Sequence, residues 1–197
     1  MDADRKKGYF VSDEAFDSLY PIYIQKLSAV HWTPLSVAHT AANFLAGTEH
    51  RRILDIGAGV GKFCIAGAYY TNAFFTGIEQ RRNFVKAGTK VASRLSLDHV
   101  SLLHGNFMDV DLRQFNGIYF FNSFHENLVI SDSLDDKIER SPALYEAYTS
   151  SLFARLEAMP LGTRLATYWL TVNEVPGNFR LCESLHGDKL KLWVKIQ

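Results

Sequence analysis

The sequence predicts an α/β fold: a doubly wound, mostly parallel seven-stranded sheet that ends in an antiparallel hairpin strand and carries an N-terminal helical extension. Three observations lead there. From residue 52 onward, short apolar runs alternate with amphipathic segments, the pattern of parallel strands joined by right-handed crossovers. The apolar runs are too uniformly apolar for a sheet with one wet face, so cover is expected on both faces. The last stretch holds two alternating runs around a glycine-bearing turn, which is a hairpin signal.

The elements follow in order. "SDEAFDSLYPIYIQKLSAV" begins with Ser12 as a candidate N-cap and places Phe16, Leu19, Ile22 and Tyr23 at helical spacing, with Pro21 as a potential kink. "TPLSVAHTAANFLAG" reads as a second helix, with Thr33 as N-cap, Pro34 at the first helical position and Gly47 as the stop. Residues 1–47 thus form a helical extension of the same domain, and residues 48–197 carry the sheet. "RILDIG", "FFTGIE", "VSLLHG", "IYFFNSF" and "TRLATYWL" read as five strands. The first two are joined by the helix "GKFCIAGAYYTN". The next pair is joined by "RRNFVKAGTKVASRLSL", with Phe84, Ala87, Val91 and Leu95 on one face. "MDVDLRQFN" holds only a short helix, and "SPALYEAYTSSLFARLEAM" a long one. After the fifth strand, "TVNEVPGN" leaves no room for a crossover helix before "FRLCESL" and "KLKLWVKI".

At 197 residues, 47% apolar and 21% charged, the chain has the size and composition of one folded domain. Lys plus Arg equals Asp plus Glu at 21 each, so no global field favours nucleic acid, and "DRKKG" at residues 4–8 reads as a solvated tail. No apolar run reaches the roughly 18 residues needed to cross a bilayer, and the polar start lacks the apolar core of a secretory signal. A cytoplasmic protein with no membrane partner is expected. Cys64 and Cys182 belong to no metal-ligand spacing, so no metal site is expected and both read as small buried hydrophobes.

The stretch "LDIGAGVGK" carries the functional signal. A strand that runs through Asp55, Gly57, Gly59 and Gly61 into a helix brings bare backbone close to a ligand and aims N–H groups at it. A dinucleotide turn, G-x-G-x-x-G, needs glycine at position 62, where this chain has Lys62. A P-loop fails as well, because the G-K pair is misplaced and Phe63 follows it. Asp55 repels a pyrophosphate but stabilises a cation. Glu79 closes the second strand about 20 residues beyond Gly59, where doubly wound folds hold ribose hydroxyls. Together these residues describe an adenosine with a positive, amino-acid-like arm, and S-adenosylmethionine fits.

Over about residues 30 to 197 the chain resembles the class I, seven-stranded Rossmann-like S-adenosylmethionine-dependent methyltransferases. The likeness rests on "LDIGAGVGK", "FTGIEQ", "LLHGNFMDV", "IYFFNSF" and the final antiparallel strand. It implies that Asp55, Gly57, Gly59 and Gly61 surround the methionine arm, Glu79 holds the ribose, and Asn106 with Phe107 flanks the adenine. The family usually has Asp where this chain has Asn106; the amide oxygen still accepts. "DIGAGVGK", "GIE", "HGNF" and "FFNSF" resemble more narrowly the non-SET histone-lysine methyltransferases and their relatives, which implies an amine acceptor on a protein or small molecule. The lysine-binding surroundings and basic tail of that branch are not recognisable here.

Methyl transfer needs mainly an aligned nucleophile and, where the nucleophile is protonated, a base. "NSFHEN", at the carboxyl end of the fourth strand, lies where open α/β sheets place substrates. Asn122 is a candidate cofactor or substrate contact, against a strand-end residue. It resembles the first position of the N-P-P-Y motif of amino methyltransferases, but Ser123, Phe124 and His125 depart from the rest. His125 is a candidate base and Glu126 its orienter or a binder of cationic substrate, against a loop role. Trp32 and Thr33 are candidate cofactor contacts, against core packing and capping. "SDSLDDKIER" reads as an acidic loop over the site. Two rivals stay open: an idle cofactor-binding scaffold subunit and a nucleotide-dependent oxidoreductase. The methyl acceptor and oligomeric state are not readable.

Overall fold

The computed structural model describes residues 3–28, 32–47, 51–124, 141–170 and 175–197. Seven strands, β1 (Arg52–Ile56), β2 (Phe74–Glu79), β3 (Val100–His104), β4 (Gly117–Phe121), β5 (Arg164–Tyr168), β6 (Phe179–Leu185) and β7 (Leu190–Lys195), form one sheet in the order β3-β2-β1-β4-β5-β7-β6. β1 to β5 are parallel, and β7 inserts antiparallel between β5 and β6. This is the mostly parallel, hairpin-terminated sheet that the sequence predicts. Strand order reverses between β1 and β4, and in open α/β sheets that switch point opens a crevice at the strands' carboxyl ends.

Among the described residues the helices are α1 (Ala3–Gly8), α2 (Asp13–Asp17), α3 (Ile22–Gln25), α4 (Leu35–Ala46), α5 (Lys62–Tyr70), α6 (Arg82–Arg94) and α7 (Pro142–Glu157). α4, α5 and α6 pack with the extension on one sheet face, where Phe16, Ile24, Ala38, Leu45, Ile53, Ile65, Phe75 and Tyr119 share a core. α7 covers the other face through Leu152 and Leu156, against Leu54, Ile118, Phe120 and Leu165. The strands alternate accordingly: Ile53 and Asp55 face one layer, Leu54 and Ile56 the other.

Several expectations need correction. The first long helix is broken in two: α2 ends at Asp17, and Pro21, which has no N–H to donate, starts α3 afresh. Ser12 does cap α2, accepting from the Ala15 N–H at 3.1 Å. Thr33 does not cap α4; the Leu35 N–H donates instead to Asp13 Oδ1 of α2 at 2.9 Å. The basic segment expected as a tail lies largely within α1. Cys64 is buried as expected, but Cys182 is exposed, because β6 is an edge strand with Arg180 to Ser184 in solvent. Cover on both faces holds at the centre of the sheet and fails at its β2–β3 side. The β3–β4 link contains only two 3-10 turns, Phe107–Asp109 and Leu112–Gln114, and leaves Phe74 53% and Leu103 44% exposed.

Candidate functional site

The glycine turn is held mainly by the end of β2. The N–H groups of Gly57 and Ala58 both donate to Ile78 O at 3.0 Å, Gly59 N–H donates to Glu79 Oε2 at 3.0 Å, and Gly61 N–H donates to Ala58 O at 2.8 Å. The expectation of N–H groups aimed at a ligand therefore fails at these four positions. The glycines instead answer conformation and space. Gly57 sits at φ 73°, where a Cβ would run into the Ser123 side chain. Gly61, at φ 79°, starts α5, and a Cβ there would come within 2.6 Å of Leu102. At Gly59 a Cβ would meet open space.

That open space belongs to a cavity of about 660 Å³ at the β1–β4 switch point. Of the sequence-predicted residues, Trp32, Thr33, Asp55, Gly57, Gly59, Glu79, Phe107 and Asn122 line it together. Gly61 and Asn106 do not: Gly61 faces the sheet, while Asn106 caps the turn at Phe107–Asp109 through Met108 N–H and donates to Tyr148 Oη at 2.9 Å. His125 and Glu126, with the acidic segment 131–140, lie outside the described residues.

The cavity wall carries two carboxylates, Asp55 and Glu79, and two cations, Lys62 and Arg81. Asp55 is buried, and that burial raises its pKa from 3.8 to about 7, with the Glu79 charge adding to the rise and a weak hydrogen bond from the Cys64 thiol, at 3.6 Å, opposing it. Burial, and then Asp55 itself, push the Cys64 thiol well above its ordinary range, so it stays protonated. Glu79 is more fully engaged: Oε1 accepts from Arg81 N–H at 2.7 Å and Oε2 from Gly59, so this carboxylate pins the turn. The two cations in the wall have carboxylate partners: Lys62 pairs with Asp13 and Asp17, and Arg81 with Glu79.

Aromatic residues complete the wall, and most of them were not singled out from the sequence. Tyr119 lies beside Asp55 in register, stacks on Phe63 at 3.8 Å between centroids, and shares a 2.9 Å hydrogen bond with Thr33 Oγ1. Burial pushes its hydroxyl well above the usual tyrosine range, which keeps it protonated. Phe121, Tyr168 and Trp169 also line the cavity. The sequence carries the fifth strand through Trp169, but β5 ends at Tyr168 and Trp169 takes φ 59°, 53% exposed, with Lys189 Nζ 4.3 Å from its ring centroid. Asn122, after β4, takes φ 35°. Two non-glycine residues with positive φ at neighbouring strand ends, both facing one cavity, mark a site where local strain is tolerated. Their position was foreseeable from the rule that such sheets place ligands at the carboxyl ends of strands.

Among the described residues, no group of three or more His, Cys, Asp or Glu is arranged to hold a metal ion. No described helix is long and apolar enough to cross a membrane.

Solved structures share this architecture. An RNA methyltransferase from Salinibacter ruber, in complex with S-adenosyl-L-homocysteine, matches with a TM-score of 0.61 at 20% identity, over 84% of this chain and 94% of that one. A putative methyltransferase, yhhF, from Escherichia coli matches with a TM-score of 0.59 at 17% identity, over 82% and 84%. A mutant of MtNAS in complex with S-adenosylmethionine matches with a TM-score of 0.59 at 14% identity, over 98% and 71%. No family model and no curated protein matches the chain. At these identities the likeness establishes the fold alone, a Rossmann-like α/β fold with a mostly parallel seven-stranded sheet.

Proposed function

We propose that this protein is an S-adenosylmethionine-dependent methyltransferase, with its cofactor in the cavity at the β1–β4 switch point. The observation that carries this reading is the cavity's donor set. The N–H groups of Gly57, Ala58, Gly59 and Gly61 are spent inside the protein, so the turn has little to offer a phosphate, whereas Asp55 and Glu79 face the cavity as acceptors. Such a site suits a nucleoside with hydroxyls and a cationic arm. Two of the structurally similar proteins hold S-adenosylhomocysteine or S-adenosylmethionine, which supports the same ligand here.

When bound, S-adenosylmethionine supplies an activated methyl on a sulfonium. Asp55 would face the positive arm and ionise in its presence, Glu79 would accept from the ribose hydroxyls, and Phe107 would pack against the base. Trp32, Tyr119, Tyr168 and Trp169 line the cavity and would offer aromatic faces to a cationic group. Asn122, at the end of β4, orients the acceptor through its side-chain amide. Tyr119 is not the base, because its hydroxyl stays protonated. We assign an amine, on a protein or a small molecule, as the acceptor class, in keeping with the aromatic wall beside the Asp55 carboxylate; His125 and Glu126 are the proposed base and its orienter.

Thermal melting with S-adenosylmethionine, S-adenosylhomocysteine or NAD tests the cofactor. The two sulfur nucleosides are expected to raise the midpoint, by about 2.7 kcal/mol of stability at a hundred times the dissociation constant, and NAD is expected to leave it unchanged. The reverse result returns the oxidoreductase reading. Transfer of labelled methyl from the cofactor into a fractionated lysate then tests the acceptor. Cofactor binding without any transfer would make the protein an idle scaffold.

A further inference from the structure

Lys62 stands where a dinucleotide turn has glycine, and it is one of the most buried charges in the molecule, with 4% of its side chain exposed. A lone ammonium at that depth is untenable without charged partners. Both partners come from the N-terminal extension: Asp13 Oδ1 and Asp17 Oδ1 each lie 2.7 Å from Lys62 Nζ. The ammonium also sits over the rings of Phe16 at 5.3 Å and Trp32 at 5.4 Å. The same carboxylates organise the rest of the extension. Asp13 Oδ1 accepts the first N–H of α4, from Leu35, and Asp17 Oδ2 accepts from the Ser28 hydroxyl. Tyr20 Oη donates to Val60 O at 3.1 Å, a second tie to the glycine turn. Between these anchors hang Trp32, Thr33 and Pro34, which form one wall of the cavity.

We propose that Lys62 is a positioning residue that docks the N-terminal extension on the glycine turn and thereby builds the Trp32–Pro34 wall of the cofactor site. This rests on the reading of the cavity as a nucleoside site. The ammonium acts through its two aspartates, not by touching the cofactor. When the extension undocks, the wall is lost, and apparent affinity falls by the fraction of time the extension stays docked.

The test uses the full-length chain with Lys62→Met, which keeps the aliphatic stem, Lys62→Arg, which keeps the charge, and the Asp13→Asn/Asp17→Asn pair, which removes the partners. Two quantities are measured: the rate of tryptic cleavage after the exposed Lys26 without ligand, and the dissociation constants of S-adenosylhomocysteine and methylthioadenosine. Lys62→Met and the double aspartate variant are expected to be cleaved about tenfold faster and to bind both ligands about tenfold more weakly, with Lys62→Arg close to wild type on both counts. Cooperative melting of each variant shows that the sheet remains folded. Unchanged cleavage, or unchanged affinity in Lys62→Met, overturns the proposal while leaving the cofactor reading intact. A loss confined to S-adenosylhomocysteine overturns it in favour of direct contact with the amino-acid arm. Failure of the wild-type protein to bind either nucleoside sinks the cofactor reading, and the positioning role with it.

Discussion

At the scale of single residues, three positions in the glycine turn separate folding from binding. Gly57→Ala puts a side chain into Ser123 at φ 73°, so it is expected to destabilise the fold by about 1–2 kcal/mol from the left-handed backbone alone, and by more through the collision. Gly59→Val meets open space, so its steric cost falls on the ligand: nucleoside binding is lost while urea unfolding shows only the backbone penalty. Equal loss of stability in the two variants would contradict this division. Asp55 adds a pH dependence whose sign follows from its raised pKa. Between 3.8 and about 7 the unfolded chain has released a proton that the native state still holds, so stability falls as pH rises through that window and levels off above it. Asp55→Asn removes this penalty. Its melting midpoint relative to wild type is expected to climb from pH 4 to pH 7, while cofactor binding weakens; a constant difference across that range would show that Asp55 is already ionised in the free protein. The acidic, glycine-rich character of this turn was legible in the sequence. That its N–H groups are spent internally was not, because Ile78 and Glu79 reach them only across the parallel β1–β2 pair.

At the scale of elements, α7 organises the far side of the cavity. One guanidinium, that of Arg155, donates to the carbonyls of Phe107, Met108 and Val110, and so holds the turn that carries Phe107 against the cavity. Tyr148 of the same helix accepts from Asn106 and packs against Phe107 and Phe124. Arg155→Met is expected to cost about 1.5–3 kcal/mol, since charged hydrogen bonds to backbone are lost. Hydrogen exchange at the amides of Asp109 and Val110, which close this turn, is expected to accelerate beyond the global change. Exchange that rises only in step with overall stability would show that the turn holds itself. α7 was readable in sequence as the long helix "SPALYEAYTSSLFARLEAM", and its Ser141 cap and Pro142 start agree with that reading. Its contact with the β3–β4 turn was not, because Arg155 follows Phe107 by 48 positions and no local pattern links a surface arginine to distant carbonyls.

At the scale of the whole molecule, the sheet is unevenly covered. Leu156 is 1% exposed under α7, so Leu156→Ala is expected to cost about 2–5 kcal/mol. Phe74 and Leu103 lie on the same face beyond the helix, and Phe74→Thr or Leu103→Thr is expected to stay within about 0.5 kcal/mol. Chemical denaturation of the three variants checks the contrast, and a large loss at either exposed site would mean that this side is covered in solution.

Strand number, the alternation of strands with helices, the final hairpin and the acidic glycine turn were all determined by the sequence itself, since each is written in local periodicity and turn chemistry. The tertiary structure decided what depends on distant partners. It turned Lys62 from a residue that merely rules out a dinucleotide turn into the anchor of the N-terminal extension, because the Asp13 and Asp17 carboxylates converge on it only after the chain has folded. It moved Thr33 from a helix cap to a partner of Tyr119, 86 residues away. Periodicity reports which face of an element is buried, whereas the identity of what lies across that face is set by packing, where long-range charge and shape must be satisfied together.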